Sequence, residues 1–183
     1  SDGFRLAALG AHANNGWLND NVVPATYYAL CLAGDDIAVG TYTGDGGGAR
    51  TITGLGWQPG WIGVKRHSAV HRAMIVRHED MPATESYSIL EGLVPLTDGI
   101  TSLDADGFTV GANVRSNENL IVYSYLAFRS VSPDIDLGNY DGDDTGDRLI
   151  TAAFQPELVM IVSLTAGGIA EIAYYRTSVM AAN

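Results

Sequence analysis

The chain repeats itself. The run "IAVGTYTGDGGGARTITGLGWQPGWIGV" at 37–64 returns as "IDLGNYDGDDTGDRLITAAFQPELVMI" at 135–161. Ile37, Gly40, Tyr42, Gly44, Asp45, Arg50, Ile52 and Thr53 meet Ile135, Gly138, Tyr140, Gly142, Asp143, Arg148, Ile150 and Thr151, each 98 positions later. After one deletion, Trp57, Gln58 and Pro59 meet Phe154, Gln155 and Pro156. Residues that recur in this order carry the same local structure twice, so the fold reduces to one unit of about a hundred residues, used again.

A second match sets the ends of that unit. Asp2, Gly3 and Phe4 lie over Asp106, Gly107 and Phe108, and "YYALCL" (27–32) lies over "YSYLAF" (123–128). Residues 1–34 are thus the back half of a unit, 35–130 a complete unit and 131–183 the front half of another. The last segment is expected to be completed by residues 1–34 or by a neighbouring subunit, because a half-sandwich leaves strand edges and an apolar face open. The missing initiator Met points to a processed product or a piece of a longer polypeptide.

Within the unit, "GTYTG", "RTITGLG", "WIGVK", "GFTVG" and "IVYSYLAF" are short runs rich in Val, Ile, Thr and aromatics, which suit strands. The Gly- and Asp-rich stretches between them suit turns. Helical periodicity is nearly absent; its best candidate is one short turn within 82–93. The expected fold class is all-β, an antiparallel β-sandwich of jelly-roll or concanavalin-like type built from these repeats. Pro59 and Pro156, which have no N–H for a ladder, should stand where a strand begins. Trp57 or Phe154 should close one end of the core, and Trp61 should lie in the core. "GDGGG" reads as a flexible hairpin tip.

The succession "GTYTGDG…RTITGLGWQPGWIGVK…GITSLDADGFTVGANV…YSYLAFR" (40–129) resembles modules that recur in virion structural proteins of tailed bacteriophages, in tail fibres and related surface proteins. The resemblance implies a sandwich displayed on the exterior of a phage particle, assembled in the host cytoplasm. It implies other virion proteins and copies of the chain itself as partners, with a role in assembly and host attachment, a host surface glycan being one target. A capsid decoration or cement protein and a glycan-cleaving tail enzyme are the alternatives. The expectation is a non-enzymatic structural protein without cofactor or metal.

Charge narrows the partners further. A formal net charge of -11 and a pI near 4.5 disfavour nucleic acid and anionic membrane surfaces. The one cysteine, Cys31, sits in an apolar run and reads as a small buried thiol, not part of a disulfide framework. No apolar stretch approaches the ~20 residues of a membrane helix, so no membrane insertion is expected and the chain reads as soluble.

Candidate sites follow from local composition. "KRHSAVHRAMIVRHED" (65–80) carries three of the four histidines and four of the ten basic residues. His67 and His71 have a helical metal-ligand spacing, but the surrounding pattern is that of a strand, and a solvated basic stripe is the better reading. Its Lys65, Arg66 and Arg72 are candidate subunit contacts, matched by Asp141, Asp143 and Asp144 in "DIDLGNYDGDDTGD" (134–147), which holds six aspartates and no base. That acidic run lacks the EF-hand Glu, since the twelfth position from Asp141 is Ala152, and its aligned copy has one carboxylate. No catalytic motif stands out: the serines lack a neighbouring His and no Gly loop opens a helix. Trp17, among Asn14, Asn15 and Asn19, is the candidate for carbohydrate or receptor contact, with a core or subunit contact as the plainer reading.

Overall fold

A computed structural model describes residues 35–67, 72–89, 95–129, 135–144, 146–161 and, for the backbone, 174–177. The described residues form strands and loops and no helix. In chain order the strands are β1 (Ile37–Thr43), β2 (Arg50–Thr53), β3 (Pro59–His67), β4 (Ile75–His78), β5 (Tyr87–Ser88), β6 (Ile100–Asp104), β7 (Gly107–Val110), β8 (Val122–Arg129), β9 (Leu158–Ile161) and β10 (Tyr174–Thr177). Five of them pair in the order β1-β8-β3-β4-β5, three in the order β2-β7-β6, and β9 pairs with β10; every pairing is antiparallel.

The five- and three-stranded sheets share one core. Alternation along β3 turns Ile62 and Val64 inward, β8 contributes Tyr123 and Ala127, and β1 contributes Tyr42. From the smaller sheet come Ile52, Ile100, Phe108 and Val110. Phe108 packs edge-on against Tyr42 and Tyr125, with centroids 6.1 and 5.3 Å apart, while Tyr42 stacks on Tyr123 at 5.2 Å. Gly40 makes room for this group, because a Cβ there would stand 2.4 Å from the Tyr125 hydroxyl. Trp57 packs against the same core, as expected.

The phrase "DGF" acquires a structural meaning here. β6 and β7 form a hairpin with Asp104 opposite Gly107. At its tip the Asp106 carboxylate accepts the backbone N–H groups of Gly54 and Gly56, at 3.2 and 2.6 Å. Gly107 follows at φ 152°, where an added Cβ would lie 2.0 Å from the Ile52 carbonyl oxygen, and Phe108 then enters the core fully buried. One tripeptide therefore closes the turn, holds the loop after β2 and supplies the central core ring.

Three expectations need correction. "GDGGG" does not join a hairpin: β1 belongs to the five-stranded sheet and β2 to the three-stranded one, so the glycine run crosses between sheets. It is also pinned, since buried Asn117 accepts the Asp45 N–H at 3.0 Å and donates to Asp45 Oδ1 and the Gly47 carbonyl at 2.9 and 3.0 Å. The described part of 82–93 holds turns and β5 in place of a helical turn. Trp61 starts the strand alternation on the outward face of β3, half-buried, because a bulge at Pro59 sets the register that sends Ile62 inward. Pro59 itself opens β3, as its missing N–H requires.

Candidate interaction surfaces and a buried arginine

The five-stranded sheet carries apolar clusters on both faces. Outward, Trp61 stacks on Phe128 with centroids 5.0 Å apart, and Val76, Met81 and Tyr87 form a second buried cluster with Trp61 and Met74 against it. At the β1 edge of this face Val39 is 62% exposed.

The predicted basic stripe is divided by strand alternation. Lys65 lies exposed on the outward face, its Nζ donating to the Arg72 carbonyl. Arg66 points the other way: its buried guanidinium pairs with Glu118 and donates to the Val114 carbonyl at 3.0 Å, holding the 113–118 loop. Arg72 is half-buried. His67 also faces outward, bonded to Ser124, and His71 lies outside the described residues. Among the described residues no three His, Cys, Asp or Glu side chains gather into a metal site.

On the acidic side, Asp141, Asp143 and Asp144 are exposed. Asp143 pairs with Arg148 at 2.8 Å, and the Arg148 guanidinium lies 5.6 Å from the centre of the Tyr140 ring. The aligned residues do the same: Asp45 pairs with Arg50 at 3.2 Å, and Arg50 lies 5.9 Å from the Tyr42 ring. Lys65 and Arg66 find partners within the sandwich, in the Arg72 carbonyl and in Glu118 and the Val114 carbonyl. Trp17, Asn14, Asn15 and Asn19 lie outside the described residues.

Asp45 has a consequence for stability. The Gly47 N–H, then Asn117 and Arg50, hold its carboxyl below the ordinary value of 3.8. A depressed acid stabilises the fold above its unfolded value and loses that contribution as pH falls through the folded one. Urea midpoints are therefore expected to fall as pH drops below about 4, and less steeply in Asp45→Asn. Equal slopes for the two proteins would show that Asp45 contributes nothing to acid sensitivity.

One residue escaped sequence reading. Arg77 shares the inward face of β4 with Ile75 and is only 7% exposed. Its Nη1 donates to the Pro82 carbonyl at 3.1 Å and to that of Glu85, so the 82–85 loop wraps the guanidinium. Its Nε is buried without a hydrogen-bond partner. Burial pulls its pKa below the ordinary range, and Glu85 partly opposes this. The available signal was a cation at inward parity in "IVRH". Beside it opens a cleft of about 250 Å³ whose walls include Gln58, Glu79, Thr84, Thr101 and Ser102.

Comparison with protein-family models, curated proteins and solved structures finds no match.

Proposed function

We propose that this chain is a structural module of a tailed-phage virion, of tail-fibre or tail-associated type, that assembles by completing jelly-roll-like sandwiches with further copies of itself. One observation carries the reading. Tyr140, Ile150, Val159 and Ile161 are 45, 50, 36 and 38% exposed, whereas their counterparts Tyr42, Ile52, Ile62 and Val64 are 8, 9, 0 and 0% exposed. The second copy thus displays to solvent the side chains that form the core of the first. Exposed apolar surface of this kind marks an interface that a partner covers.

The complement this front half needs is a back half, with a "DGF" hairpin and a Tyr-rich strand to fill the places of β7 and β8. Residues 1–34 carry that pattern in Asp2-Gly3-Phe4 and in Tyr27–Leu32. Strand donation from one copy to the next would satisfy both the open strand edges and the apolar side chains. The order of phrases over 40–129, which resembles phage virion modules, supports placing such an assembly on a particle. The matching Asp–Arg–Tyr group in both copies supports a common fold for the two front halves.

Native mass spectrometry of the chain tests this. Discrete oligomers are expected, and a triple variant, Ile150→Ser with Val159→Ser and Ile161→Ser, should shift the population to monomer while leaving the unfolding of the 35–129 sandwich unchanged. A wild-type protein that stays monomeric at all concentrations, or oligomers indifferent to the triple variant, would overturn the proposal.

A further inference from the structure

The cleft beside Arg77 combines features that the core does not need. A buried N–H without an acceptor costs about 1–3 kcal/mol, and more when it belongs to a charged group. The Nε of Arg77 is such a donor. The loop that wraps this guanidinium holds Thr84 at φ 70°, a region β-branched residues avoid because of their Cβ substituents. Strain of this sort collects at binding and switching sites. The two bonds from Arg77 to the loop both use Nη1, which leaves the Nε edge of the fork, the side that suits a two-point contact with a carboxylate.

The remaining walls describe the rest of a ligand. Thr101 Oγ1 donates to the Thr109 carbonyl and Ser102 Oγ to Asp104, so each hydroxyl keeps lone pairs to accept from a ligand hydroxyl. Gln58 and Thr84 add an amide and a further hydroxyl. Glu79 accepts hydroxyls too, and its charge penalises a multiply charged anion such as phosphate more than a single carboxylate held on Arg77. At about 250 Å³ the cleft is smaller than the ~300–1,000 Å³ of sites for drug-sized ligands, so it suits one ring.

We propose that this cleft binds one acidic sugar unit, a uronic or sialic acid, with its carboxylate on the Nε edge of Arg77 and its hydroxyls on Thr84, Thr101 and Ser102. Because Nε is itself buried, the carboxylate reaches it only if the 82–85 loop, which is bonded to Nη1, shifts on binding. The site lies wholly within the 35–129 sandwich and uses none of the side chains invoked for assembly, so the two proposals stand or fall separately.

The test is titration of the full chain with D-glucuronate, N-acetylneuraminate, D-glucose and sulfate, followed by NMR. Millimolar glucuronate or N-acetylneuraminate should move the Arg77 Nε–H and the Thr84 and Ser102 amide signals, and glucose and sulfate should bind about tenfold or more weakly. Arg77→Lys, which keeps charge but loses the fork, should lower affinity by a similar factor. Ala83→Phe, a change at an exposed wall residue that spares the core, should block the cleft and abolish the shifts even if Arg77→Lys fails to fold. Absence of shifts with both acids, equal response to glucose, or full binding by Ala83→Phe would overturn the inference.

Discussion

Replacing Phe108 with alanine is expected to lower the unfolding free energy by about 3–5 kcal/mol, the usual cost of deleting a fully enclosed aromatic ring. The ring is completely buried between the two sheets and touches Tyr42 from one and Tyr125 from the same larger sheet. Its removal leaves a cavity that two paired strand sets cannot close without moving the ladders. Since a domain of this size holds a total of only ~5–15 kcal/mol, the variant should be largely destabilised at ambient temperature. Urea denaturation of wild type and variant measures the difference. A loss under about 1 kcal/mol would mean that the sheets collapse onto the vacancy, and that Phe108 does not join them.

Gly107→Ala, one residue earlier, is expected to cost about 4 kcal/mol although it removes nothing, a loss of the size that strain and overpacking produce. The added Cβ would meet the Ile52 carbonyl oxygen at 2.0 Å, and that atom belongs to the paired strand β2, so the backbone itself would have to move. The φ of 152° adds strain that glycine alone escapes. Thr109→Ala, two residues on and facing outward, loses the hydroxyl's bonds to Asp104 and Thr51 but adds no clash, so as the comparison it should cost only about 1–2 kcal/mol. If Gly107→Ala unfolds at the same urea concentration as Thr109→Ala, the close approach of β7 to β2 is not a constraint on the fold.

Both predictions concern one hairpin, and it shows how far local sequence carries. "DADG" and "GFTVG" read as a turn and a strand, and β6–β7 forms that hairpin, whereas the full burial of Phe108 comes from the packing of the two sheets. β3 was legible from Pro59 and from the apolar run after it, and β8 from its aromatic-rich run. Trp57 closing the core was legible from its place before the proline. The burial of Arg66 and Arg77 was not, because a cation in a strand pattern looks the same whether its partner is water or a loop carbonyl. Glu118 lies 52 positions beyond Arg66 in the chain, and the Pro82 and Glu85 carbonyls reach Arg77 through a loop with no distinguishing composition.

The sequence by itself determined the strand content and the placing of the Gly- and Asp-rich connections, since both follow from side-chain shape and backbone preference over a few residues. Only the tertiary structure decided which sheet each strand joins. β1 and β2 are separated by a glycine-rich run that would suit a hairpin, yet β1 pairs with β8, Ile37 opposite Phe128, and β2 with β7. Alternation says which side of a strand is apolar and nothing about its neighbour; that choice is made by contacts between residues far apart in the chain, which also set the inward path of each buried charge.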